Sequence, residues 1–196
     1  TPEVLFVPQG TQAPEPVSRG EAWVDVGSRS EPPVFDHHGG QGESAAALVW
    51  SQRSWLKGQT VERVVTHAAP DLDALTAIWL IRCATTQAAG ANESAIDKIV
   101  DHVNRHDRGD ELRVSPSRDW AVLFTEFLAN LDDEERVVAG FEVLDRTSSL
   151  LAEGVSEQRL AESAFPARLI RRVDESERRF QDDWSRAWHY PVCLRG

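Results

Sequence analysis

An apolar run, Val64-Val65, gives way to a helical spacing, Leu75, Ile78 and Trp79, across Thr66-His67-Ala68-Ala69-Pro70-Asp71-Leu72-Asp73-Ala74. No other stretch limits the fold so tightly, because an imidazole and two carboxylates gather where a buried strand becomes a helix. Such groups are costly to place there unless something cationic holds them, and all three are hard or borderline metal ligands. A second cluster lies upstream, Phe35-Asp36-His37-His38-Gly39, and Asp25 in Trp23-Val24-Asp25-Val26-Gly27 is a further candidate. Together these segments read as a divalent metal site holding two ions.

The surrounding pattern supplies the scaffold. Val4 to Val7, Ala22 to Val26 and Val34-Phe35 read as short strands, and a Pro/Gly-rich loop follows the first through Gly20. Residues 44–56 read as a helix starting near Glu43 or Ser44, and Val61 to Thr66 as a strand too apolar to be half-exposed. Asp71 to about Thr86 is a helix, and Glu93 to Asn104 another, capped by Asn92. Strands alternating with helices predict an α/β fold with a parallel sheet flanked by helices on its faces.

After about residue 116 the character changes, and from Asp119 to Tyr190 the spacing is helical throughout. The division expected is a metal-binding α/β domain over 1–116 and a helical region over 117–196 that packs on it. The last helix is predicted to start at Pro166, with an apolar stripe of Leu169, Val173, Phe180, Trp184 and Trp188. Arg171, Arg172, Arg178, Arg179 and Arg186 lie between them, either as a solvated face or as a phosphate-gripping one. We expect residues 117–190 to pack beside the sheet through Phe124, Leu128, Phe141, Leu169, Val173, Phe180 and Trp184. One edge, with Arg171, Arg172 or Arg178, is expected to wall the metal cleft; the other reading is a tail that completes the core or forms a homodimer interface.

A net charge of −11 over 196 residues argues against an extended duplex as partner, since such binders usually carry a basic stripe. Part of that charge would be neutralised by bound cations. The balance favours a small phosphorylated substrate or a short oligonucleotide. No stretch approaches the roughly 20 apolar residues needed to cross a bilayer, and the first residues lack the basic start and apolar core of a secretory signal. Cys83 and Cys193 stand far apart, the former within a helical pattern, which suits a reducing compartment; the cytoplasm is expected. The ending, Leu194-Arg195-Gly196, leaves room for the chain to be a piece of a larger protein.

In a parallel α/β sheet, ligands gather at the carboxyl ends of strands. Asp25, the Asp36-His37-His38 cluster and the His67/Asp71/Asp73 cluster each follow a predicted strand, so three segments deliver acids and imidazoles to one edge. Each taken singly has a plainer reading: a turn-forming Asp, a surface His pair, or acids favouring the first turn of a helix.

These residues resemble the signature motifs of the DHH phosphoesterase superfamily. The segments concerned are Val24-Asp25-Val26-Gly27, Asp36-His37-His38 and His67-x-x-Pro70-Asp71-x-Asp73-Ala74. That superfamily includes RecJ exonucleases, oligoribonucleases, cyclic dinucleotide phosphodiesterases and manganese-dependent pyrophosphatases. Val24 to Trp50 looks closest to the branch of DHH-type exonucleases related to the melanocyte proliferating gene product. Asp101-His102-Val103-Asn104-Arg105-His106-Asp107-Arg108-Gly109 resembles the fourth motif of that branch. The resemblance covers roughly residues 22–110. It departs in two respects. The His/Asp/Asp motif, first in the family, comes third here, which leaves the strand order open. The family's glycine-rich carboxyl-terminal domain is not recognisable, so no substrate is carried over.

The resemblance implies a Rossmann-like, permuted fold and a metal-dependent phosphodiesterase or phosphatase. His67 and Asp71 would hold one ion, Asp73, His37 and Asp107 the other, with Asp25 bridging. Two divalent ions about 3.5–4 Å apart activate a water and stabilise the attacking and leaving oxygens. The ligand set suits Mn²⁺, with Mg²⁺ or Co²⁺ as substitutes. His38 would meet a phosphoryl oxygen or protonate the leaving group, Asp36 would orient an imidazole, and Arg105 and Arg108 would clamp phosphate or form helix-surface ion pairs. The alternatives are a single-strand RNA or DNA exonuclease, and a catalytically degenerate domain acting as a nucleotide sensor or assembly module.

Overall fold

The computed structural model describes residues 2–38, 42–86, 92–110 and 118–187. Within the last segment Trp184 and Arg186 are placed on a helix by backbone alone; Trp188 and Cys193 lie outside the described residues.

Four short strands form the sheet: β1 (Glu3–Val7), β2 (Glu21–Val24), β3 (Val34–Phe35) and β4 (Arg63–His67). All pair in parallel, in the order β1-β4-β2-β3. The chain therefore returns to insert β4 between β1 and β2. The helices are α1 (Ala45–Ser51), α2 (Arg53–Leu56), α3 (Leu72–Thr85), α4 (Glu93–Asp107), α5 (Trp120–Leu128), α6 (Asp133–Ala152), α7 (Glu157–Ala164) and α8 (Ala167–Ala187). The architecture is α/β with a Rossmann-like parallel sheet. No described helix is long and apolar enough to cross a membrane.

Alternation along the strands separates two apolar layers. Ala22, Val24, Phe35 and Val64 face the main core, which they share with Ile78, Trp79, Ile99, Phe124 and Leu144. Trp23, Val26, Val34 and Val65 face the other way, against Leu5, Val7, Ala13 and Val17. Helices were expected on both faces. Among the described residues they cover only one, because the β1–β2 connection contains no helix. Parallel strands need a crossover of about a dozen residues, and residues 8–20 make it as a loop, laying Ala13 and Val17 over the second face.

The expected helix over 44–56 is broken at Gln52, which ends α1 and starts α2. In contrast, α4 runs beyond its expected end at Asn104 to Asp107, capped by Asn92, whose side chain accepts from the N–H groups of Ser94 and Ala95. Helices α5 and α6 stack on α3 and α4, and Phe124 and Leu144 share one core with Ala22, Val24 and Val64 of the strands. Close approach is possible because Gly140 of α6 has no side chain. A Cβ there would lie 3.1 Å from Leu75 Cδ1 and 3.4 Å from Phe124 Cζ. Phe124, Leu128, Phe141, Leu169 and Val173 are buried as expected, but Phe180 is 62% exposed. Among the described residues of the α8 stripe, burial ends at Val173.

Candidate metal centre

The carboxyl ends of β2, β3 and β4 lie side by side in the sheet, and each delivers a polar group at its last residue or just beyond. Asp25 follows β2 with φ of 55°, a left-handed conformation uncommon outside glycine but better tolerated by Asp than by most residues. Its N–H donates to Phe35 O at 3.0 Å, which ties the turn to β3. Gly27, with φ of 116°, admits no side chain, because a Cβ would lie 2.7 Å from Val34 Cγ1. That turn leaves the Asp25 carboxylate 3% exposed.

Asp25 faces two imidazoles with its two oxygens. Oδ2 lies 3.1 Å from His67 Nε2, and Oδ1 lies 3.2 Å from His37 Nε2. The His67 Nδ1 is 2.9 Å from Ala68 O. A carbonyl can only accept, so Nδ1 carries the hydrogen and Nε2 presents its lone pair when the ring is neutral. Although close to His37, Asp25 Oδ1 accepts no well-aligned hydrogen bond among the described residues. An orphaned buried carboxylate oxygen is expensive. Ligand atoms held about 2.0–2.2 Å from one cation at right angles lie about 3 Å apart, so the contact has the spacing of neighbouring ligands.

The remaining acids are fixed by helix ends. Asp71 caps α3: its Oδ1 accepts from the N–H groups of Asp73 and Ala74 at 3.0 and 3.1 Å, which leaves Oδ2 outside the cap. Asp73, on the first turn of α3, accepts from Ala45 N–H at 2.7 Å through Oδ2 and from Ala46 N–H at 2.9 Å through Oδ1. It thereby locks the start of α1 to the start of α3. Asn104 adds a second link, its Oδ1 accepting from Ser44 N–H at 2.8 Å, one turn before Asp107 on α4. Asp107 Oδ2 stands 3.6 Å from His37 Nδ1, while Nε2 is the nitrogen beside Asp25.

Three groupings result, each with ligand atoms within 4.8 Å of one another: Asp25, His67 and Asp71; His37, Asp73 and Asp107; and Asp25, His37 and His38. The structure thus brings together all six residues read as metal ligands, with Asp25 between the two halves. The Asp25 carboxylate beside both rings raises His37 and His67 to about 9, outweighing burial, which lowers both. Burial, then the nearby Asp25, pushes Asp73 up to about 8. Burial alone would raise Asp25, but the His37 and His67 imidazoles beside it hold it below the usual carboxylate range. Burial also raises Asp107, against the opposing pull of His37. Acids that repel one another while sharing imidazolium protons are a site where protons and cations compete for the same lone pairs. The donor set and the orphaned oxygen both fit divalent cations.

The other expected participants divide. Asp36, 3% exposed, receives Ser28 N–H at 2.7 Å and His38 N–H at 3.0 Å, and lies 2.8 Å from His38 Nδ1. Arg105 and Arg108 do not reach toward the acids in any described contact: Arg105 Nε donates to Asp101 Oδ2 at 3.0 Å, and Arg108 lies 3.5 Å from Asp110. Both thus form helix-surface ion pairs, one of the two roles expected of them. Arg172 donates to Glu126 O on α5, and Arg178 to Asp174 one turn away, while Arg171 is exposed. The tail contributes a different edge, the start of α6. Asp133 Oδ1 accepts from Ala69 N–H at 2.8 Å, and Arg136 Nη1 approaches Pro70 O at 3.5 Å. The run Asp132-Asp133-Glu134-Glu135 signals a helix start, but nothing in it signals a partner 64 residues earlier.

Compared with family models, with curated proteins and with solved structures, the chain matches none of them.

Proposed function

We propose that the protein is a metal-dependent phosphoesterase that hydrolyses nucleotides or short oligonucleotides at a site for two divalent ions, Mn²⁺ by its ligand chemistry. One observation carries the binuclear reading: the two oxygens of Asp25 face His67 and His37 separately, and each imidazole has its own further carboxylates. His67, Asp71 and one oxygen of Asp25 would hold one ion; His37, Asp73, Asp107 and the other oxygen would hold the second. Bound there, the pair would supply a more acidic water and neutralise charge on the phosphoryl oxygens.

The chain's own residues prepare the rest. The Ala68 carbonyl fixes the His67 tautomer, and the α1 and α3 amides hold Asp73 and Asp71 in place, so little reorganisation is needed on binding. An ionised Asp36 can only accept from His38 Nδ1–H, so in the imidazolium form of that half-exposed ring Nε2–H would be left to meet a phosphoryl oxygen or to pass its proton to the leaving group. The acidic balance favours small substrates over long polyanions.

The test is to incubate the protein and its Asp25→Ala variant with Mn²⁺ and a panel: bis-p-nitrophenyl phosphate, cyclic dinucleotides, short RNAs and 3′,5′-bisphosphates. Metal-dependent turnover of at least one compound, lost in the variant, is expected. No turnover of any compound by a protein that binds Mn²⁺ would replace the enzyme with a binding module.

A further inference from the structure

The loop between β4 and α3 carries His67 and Asp71, and it is not self-supporting. Ala69, at its tip, has φ of 54°, a conformation a plain Ala adopts only when neighbours impose it. The imposing contact comes from the helical region. Asp133, the first residue of α6, accepts from Ala69 N–H at 2.8 Å. Three residues on, Arg136 spans from Leu131 O, 3.1 Å from Nε, to Pro70 O, 3.5 Å from Nη1. The helix start is itself rigid. Asp132 and Glu135 form a reciprocal capping box, and Gly140 lets α6 lie close along α3, the helix that Asp71 caps. The contacts described for Asp73, by contrast, run to α1, and Asn104 ties the start of α1 to α4, the helix that ends at Asp107. Asp133 and Arg136 thus bond directly to the loop that carries His67 and Asp71, whereas the side-chain hydrogen bonds of Asp73 and Asn104 run to the start of α1.

We infer that the first turn of α6 positions one half of the metal centre. Asp133 holds the Ala69 amide, and Arg136 the Pro70 carbonyl, so that His67 and Asp71 address the same ion. Asp133 and Arg136 thereby set the affinity of that ion and not of the one held by His37, Asp73 and Asp107. This rests on the binuclear reading above.

Calorimetric titration with Mn²⁺ alone, at one pH and without substrate, tests it on wild type, Asp133→Ala and Asp133→Asn, each with a thermal melt. Wild type should take up two ions. Asp133→Ala should weaken one of them by about 10- to 100-fold, as loss of a group that orients a ligand does, with the second ion and the melting temperature nearly unchanged. Asp133→Asn keeps an accepting oxygen and should restore both affinities. Wild-type affinities in Asp133→Ala, equal weakening of both ions, loss of the fold, or failure of Asn to rescue would each overturn the inference. Uptake of fewer than two ions by wild type would instead refute the binuclear reading itself.

Discussion

His38 Nδ1 lies 2.8 Å from Asp36 Oδ1, and the same carboxylate receives the N–H groups of Ser28 and His38, so the ring is held at the rim by a buried acid. His38 could in principle also serve as a ligand, since Asp25, His37 and His38 group together. The two roles separate on substitution. His38→Ala should lower kcat roughly 10²-fold or more, the scale of lost acid catalysis, while Mn²⁺ affinity stays near wild type. Loss of metal in step with activity would make His38 a ligand.

The turn that presents Asp25 depends on Gly27. Its positive φ and the 2.7 Å approach of a Cβ to Val34 Cγ1 both oppose any side chain. Gly27→Ala should cost about 1–3 kcal/mol in a urea melt and should weaken metal binding by displacing Asp25. A variant as stable as wild type would show that the turn relaxes without cost.

Asp119 gives a pH signature away from the metal centre. Buried, it caps α5 through Ala121 and Val122 and lies 3.7 Å from His102 Nε2. Burial would raise its pKa, but the His102 contact and the α5 amides outweigh that and hold it below the ordinary 3.8. A depressed carboxylate stabilises the fold fully above its unfolded pKa and ceases to do so as pH falls through its folded one. Asp119→Asn keeps a capping oxygen and removes the charge. The melting-temperature gap from wild type should be open at about pH 5 and close as pH drops below 3.8. A gap that widens in acid would contradict the assignment.

Much of the site was legible because Asp25, His37, His67 and Asp71 each follow an apolar run, and a parallel sheet aligns the ends of such runs. Asp73 was legible for the same reason, although its grip on the Ala45 and Ala46 amides was not. Asp107 sits on the last turn of α4, where no strand-end rule reaches, and it came only through the family resemblance. Pairwise choices between distant surfaces were the hidden part. Arg105 faces Asp101 on its own helix, whereas Asp133 reaches Ala69 across the fold, and both are ordinary helix residues in sequence. Phe180 continues a perfect helical stripe, yet periodicity cannot say where the opposing layer ends. Nor could it say that a loop rather than a helix would cover the second face of the sheet.

The central claim is that Asp25 joins two cations, with one oxygen turned to the His67 side and the other to the His37 side. Equilibrium uptake of Mn²⁺ by wild type and Asp25→Ala tests it most directly. The account predicts two ions per wild-type chain and weakened binding of both in the variant, since each loses a ligand at once. A single ion in wild type, or one site at undiminished affinity in Asp25→Ala, would contradict it.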